Sequence, residues 1–179
     1  MRNFFIPLIF AFLIAQHLFA QDVNKGWEKW QYMLGEWKGE GSGQPGEGSG
    51  MFTIKPKLEG NILERKGRTE IAATASKPAL IHEDVMIIYK NREGNAVKAI
   101  YFDNESHVIN YDITYSDNKI FLTSEANQAM PRFRLTYEKL EEKGLNIRFE
   151  MAVPNAPDDF KMYIEGKNKK VKEISEMPK

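Results

Sequence analysis

Residues 132–153 read RFRLTYEKLEEKGLNIRFEMAV, two alternating runs joined by a short charged turn. In the first run Phe133, Leu135 and Tyr137 share one face, opposed by Arg132, Arg134, Thr136 and Glu138. In the second, Leu145, Ile147, Phe149, Met151 and Val153 oppose Asn146, Arg148 and Glu150. A side-chain period of two is that of a strand whose two faces meet different surroundings. The link through Lys143-Gly144 is far too short for a parallel crossover, so the two runs must pair antiparallel.

The same pattern extends in both directions. Strands are expected at 35–43, 49–58, 61–71, 80–90, 96–103, 107–115, 118–125, 132–140, 144–153 and 160–167. Between them lie Gly, Pro, Asn and Asp clusters such as Gln44-Pro45-Gly46, Glu59-Gly60, Asn104-Glu105 and Asp117-Asn118. These residues tolerate or fix the backbone angles of tight turns. Ten wet-and-dry strands in succession predict an all-β fold, an up-and-down antiparallel β-barrel of about ten strands with a short N-terminal helix. Closure removes the exposed edges such a sheet would otherwise leave. A two-sheet sandwich is the competing arrangement. The helix is expected over Asn24 to Met33, where Trp27, Trp30 and Leu34 recur at helical spacing and Asn24 is placed to cap the start.

Upstream, residues 1–20 read as a secretory signal peptide. Arg2 precedes an apolar run from Phe4 to Phe19, and Leu18-Phe19-Ala20 precedes Gln21. The competing reading is a membrane anchor, but the run is short for a span of roughly 20 residues and no basic cluster follows it. Export to the periplasm or the extracellular space is therefore expected, with no transmembrane span after cleavage. Removing Arg2 from 25 basic and 25 acidic side chains leaves 24 against 25. That balance argues against a nucleic-acid partner, which needs a basic face. The chain has no cysteine, so neither disulfides nor thiolate metal sites are available. Residues 21–170 are expected to form one domain, and 171–179, the end of a Lys- and Glu-rich stretch from Lys167, a flexible tail.

Leu34-Gly35-Glu36-Trp37-Lys38-Gly39-Glu40-Gly41 opens the strand series directly after the helix. This Gly-x-Trp, with the phrase Ile100-Tyr101-Phe102-Asp103-Asn104, resembles the calycin barrels. These include the lipocalins, the fatty-acid-binding proteins and the nitrobindin-like haem barrels. The Trp-x-Gly-x-Gly form is most similar to the nitrobindin-like branch and related bacterial lipocalin-like domains. The resemblance implies a lumen that holds a small ligand and, on the nitrobindin-like branch, haem bound through a late proximal histidine. This chain departs from that pattern. After cleavage its histidines are His82 and His107, and the late strand offers Lys161, Met162 and Tyr163 instead. No cofactor is expected from the residues, with haem as the alternative.

Independently of any family, Trp37 on a first strand has the size, of the order of 200 Å², to plug one barrel end. In the strand from Ile62 to Ile71, Leu63, Arg65, Gly67, Thr69 and Ile71 form the inward set, which buries Arg65. A buried guanidinium needs an anion or several acceptors, from a ligand or from a neighbouring strand. His107 in phase with Ile109 and Tyr111 is expected towards the barrel mouth, and His82, beside Glu83 and Asp84, at an exposed loop or strand end. The ligand-binding set is therefore Arg65, Tyr101, His107, Tyr111, Tyr137 and Phe149. No Ser-His-Asp order, nucleophile elbow or phosphate loop appears. A carrier of a small apolar or amphipathic molecule is expected rather than an enzyme. The alternatives are a haem barrel and a filled barrel with a structural or interaction role.

Overall fold

Trp27, Trp30 and Met33 are spaced by three, and that spacing decides the first element. In the computed structural model, which describes residues 26–41, 48–91 and 97–174, Glu28–Met33 forms a 3-10 helix. Its bonds run from Trp30 N to Trp27 O (2.8 Å) and from Leu34 N to Gln31 O (3.3 Å). The sequence pattern pointed to a longer helix starting at Asn24. Three residues per turn instead hold the two indoles and Met33 on one buried face, and six residues are too few to sustain an α-helix. Asn24 and the signal segment 1–20 lie outside the described residues, as do 42–47, 92–96 and 175–179.

Ten strands follow: β1 (Gly35–Gly39), β2 (Gly48–Lys57), β3 (Ile62–Ile71), β4 (Leu80–Lys90), β5 (Val97–Asp103), β6 (Val108–Ser116), β7 (Lys119–Ser124), β8 (Arg132–Lys139), β9 (Gly144–Ala152) and β10 (Lys161–Glu173). Each pairs antiparallel with its sequence neighbours, and β1 pairs with β10 to close the barrel. The all-β, up-and-down barrel read from the alternation is the observed fold, consistent with a calycin-like architecture. No helix among the described residues is long and apolar enough to cross a membrane.

Two boundaries need correction. β1 stops at Gly39 rather than running to residue 43. The segment from Lys167, read as the start of a frayed tail, is the second half of β10 as far as Glu173, so residues 171–173 belong to the barrel. Its lysines mislead because most face solvent, where Lys is common on strand edges. Here β1 covers that edge, and Lys169 reaches Glu40 (3.1 Å) across the seam.

The helix seals one end of the barrel. Trp27 Nε1 donates to Gly60 O (2.8 Å), Trp30 Nε1 to Tyr115 Oη (3.0 Å) and Trp37 Nε1 to Met33 O (2.9 Å). Each indole thus buries a large ring while its single donor stays satisfied. Trp37 is 1% exposed and stacks on Phe52 at 6.0 Å between centroids, as expected of an end plug. Gly35, just before it, has φ +139°, and a Cβ there would lie 2.4 Å from Lys172 O. Only glycine lets the chain turn from the helix into the β1–β10 seam at that point.

Candidate functional site

The strand registers divide the lumen into two halves. Near the helix it is packed solid with Trp30, Trp37, Ile54, Leu63, Ile88, Ile120, Leu122 and Leu145. Towards the far end the inward residues lose cover: Tyr101, Ile109, Phe133, Leu135, Ile147 and Phe149 are only half-buried. The wall formed by β10 is the most open. Ile164 pairs with Phe149 and so faces inward, yet it is 58% exposed. Gly166 pairs with Ile147, and a Cβ built on it would meet no atom within 4 Å.

Polar side chains collect at the floor of this open half. Arg65, 14% exposed at its side chain, faces inward as the β3 alternation requires, and Arg65 Nη1 donates to Asp84 Oδ1. Asp84 lies on β4 directly opposite Gly67, where a Cβ would come within 2.2 Å of its Oδ2. The missing side chain at Gly67 is thus what admits the carboxylate. Phe52 supplies a ring face 4.8 Å from the guanidinium carbon. Burial opposes the charge on Arg65, but Tyr137, Asp84 and Tyr101 outweigh it and hold its pKa above the ordinary value. The pair leaves two groups over: Arg65 Nε and the Tyr137 hydroxyl are buried without a hydrogen-bond partner.

Arg65, Tyr101, Tyr111 and Tyr137 are brought to one polar floor, with Asp84 among them. Phe149 stands apart on the open wall, stacked on Phe133 at 5.6 Å with Tyr163 edge-on at 6.2 Å. His107 does not join the floor. It lies in the turn before β6, 58% exposed, with Nδ1 2.8 Å from Asp103 Oδ2. Its backbone N–H also bonds Asp103 Oδ1, so the Asp103–His107 turn holds it at the rim of the open end rather than on the floor. His82 lies near the start of β4, at a strand end as expected, but its side chain is half-buried and shares hydrogen bonds with Tyr101 Oη (2.9 Å) and Glu105 Oε1 (2.9 Å).

Asp84 and His82 were missed because both faces of β4 are apolar. Met86 and Ile88 lie on one face and Val85, Ile87 and Tyr89 on the other, so alternation alone assigns neither. The hairpin register with β3 resolves it, since Leu63 against Ile88 places Gly67 against Asp84.

The donor set does not fit a haem iron. Both ring nitrogens of His82 are engaged, and His107 is held in the rim turn. On the late strand, Met162 pairs with the outward Glu150, and Tyr163 sits at the bulge in β10, largely exposed. Among the described residues no three His, Cys, Asp or Glu side chains converge to hold a metal.

Burial raises the phenol pKa of Tyr32, Tyr101, Tyr111, Tyr115 and Tyr137, five of the seven tyrosines. A raised folded value means that the folded state favours the neutral phenol. The resulting stability is fully present below the ordinary value of 10.0 and is lost as pH rises through the higher folded values. Alkaline titration by ultraviolet absorbance should show these five ionising only as the barrel unfolds. Seven reversible ionisations near 10.0 in the folded protein would contradict the buried arrangement.

A scan against protein-family models finds no match to this chain, and a search of curated proteins finds no significant relative.

Proposed function

We propose that this chain is an exported barrel protein that carries a small apolar or amphipathic molecule in the far half of its lumen. One observation carries the reading: the β10 wall presents an inward but exposed Ile164 and, beside it, open space at Gly166. Side chains fill a barrel that only has to be stable, whereas here the inward residues of the far half, on β10 above all, keep partial exposure. Half-buried Phe133, Leu135, Ile147 and Phe149 line the opening, and a few polar groups at its floor provide orientation. Arg65 and Asp84 neutralise one another, which favours a ligand head that forms hydrogen bonds over one with a net negative charge. The Trp-x-Gly-x-Gly opening supports placing the barrel with the nitrobindin-like branch of the calycins.

Native mass spectrometry of protein gently purified from its own host is the direct test, with a non-covalent adduct of low mass expected. The same spectrum tests export, which requires a chain beginning near Gln21. Gly166→Phe should fill the open space and abolish binding of a fluorescent fatty acid or fatty alcohol at little cost in stability. Undiminished binding in that variant would place the ligand elsewhere and defeat the reading.

A further inference from the structure

A cavity of about 430 Å³ lies at the helix end, outside the sealed lumen, between the 3-10 helix and the β8–β9 and β10 ends. That volume is within the range of small-molecule sites. Leu34, Trp37 and Leu140 provide apolar lining, while Lys139, Lys143 and Lys170 bring three cations to it. Glu173 is the one carboxylate in the lining, and it is paired with Lys143 (2.7 Å). The other two lysines are held by ring faces: Lys139 Nζ lies 5.3 Å from the Tyr32 ring centre and Lys170 Nζ 5.0 Å from that of Trp37. Lys170 also donates to Tyr32 O.

The lining thus carries a net charge of two positive over an apolar surface, and the Tyr32 hydroxyl beside it is enclosed without a hydrogen-bond partner. The ring faces and Glu173 offset part of this charge, and a net positive charge remains facing the cavity. Burial first, and then Lys143 and Lys139, push Lys170 below its ordinary pKa, with only Glu173 opposing. An anion in the cavity would relieve that repulsion and accept charge-assisted hydrogen bonds from the ammonium groups. We infer that this cavity binds a small organic anion with an apolar body, its phosphate or carboxylate on Lys139, Lys143 and Lys170 and its body against Trp37, Leu34 and Leu140. This site is independent of the lumen and its ligand.

The test is an NMR titration of the full chain with phenyl phosphate, and with phenol as the uncharged ring. Phenyl phosphate should saturably shift the amides of Tyr32, Lys139 and Lys170, and added salt should weaken it. Phenol should bind at least about 10-fold more weakly, because it lacks the charge-assisted bonds. Lys139→Gln and Lys143→Gln should each weaken phenyl phosphate about 10-fold on the same grounds. Both side chains are exposed, so an unchanged thermal midpoint is expected to accompany the loss. Lys66→Gln, on a distant outer face, should bind as the parent does. Equal affinity for phenol, or affinity unchanged in both cavity variants, would overturn the inference.

Discussion

Replacing Arg65 with Met should destabilise the folded protein by about 3–5 kcal/mol, the cost of leaving one partner of a buried ion pair uncompensated. Two outcomes were conceivable for an inward arginine. A ligand-supplied partner would leave the ligand-free protein unharmed by the change. A fixed carboxylate would be stranded by it. Asp84, 6% exposed at its side chain, is that carboxylate, seated over Gly67 where a Cβ would lie 2.2 Å from its Oδ2. The companion experiment is the double variant Arg65→Met with Asp84→Leu. Removing both charges together should recover most of the loss, because a well-packed apolar pair often equals or exceeds a buried ion pair. Reversible denaturant unfolding of the two singles and the double closes the cycle. A loss below about 1 kcal/mol for Arg65→Met would be an ordinary surface effect and would refute the buried pair.

Trp37→Ala should cost about 3–5 kcal/mol, the range for large aromatic truncations in cores. The ring fills the junction of the helix, β1 and β10, stacks on Phe52, and fixes the helix through its bond to Met33 O. Its loss therefore leaves a cavity and an unpaired carbonyl together. Trp37→Phe keeps most of the ring area and should recover more than half of that loss, leaving the missing indole donor as the difference. A small effect from the alanine variant would mean that the β1–β10 seam holds without its plug. The two variants should add, because Arg65→Met acts on the β3–β4 hairpin and Trp37→Ala on the seam. Both, however, touch Phe52, so a modest shortfall from additivity is expected there.

How far the site was legible follows from which contacts are local. Side-chain period two is a property of each strand by itself, so Leu63 and Ile71 were enough to place Arg65 inside, and Phe133, Leu135 and Tyr137 were enough to place Tyr137. Where a strand is apolar on both faces, as β4 is, period two carries no phase, and Asp84 stayed hidden until pairing with β3 set it. His107 is held at the rim by local bonds instead of by strand phase. A carboxylate four residues away offered its backbone and ring a closer set of bonds than the strand did.

The sequence by itself determined about ten antiparallel strands and their up-and-down order, the burial of Trp37 and the inward register of Arg65. These follow from alternation, turn residues and short links, all of which act over a few residues. The sequence also favoured a barrel over a sandwich, a choice that the β1–β10 pairing decided. Only the tertiary structure decided that the Lys-rich run from Lys167 to Glu173 is a strand, since its partner β1 lies more than a hundred residues earlier. It likewise decided which end is sealed, that Asp84 answers Arg65, and that three lysines meet beside Tyr32. Each of these depends on how far neighbouring strands are staggered when the sheet closes. That stagger is set by the packing of the whole ring of strands, and no single segment carries it.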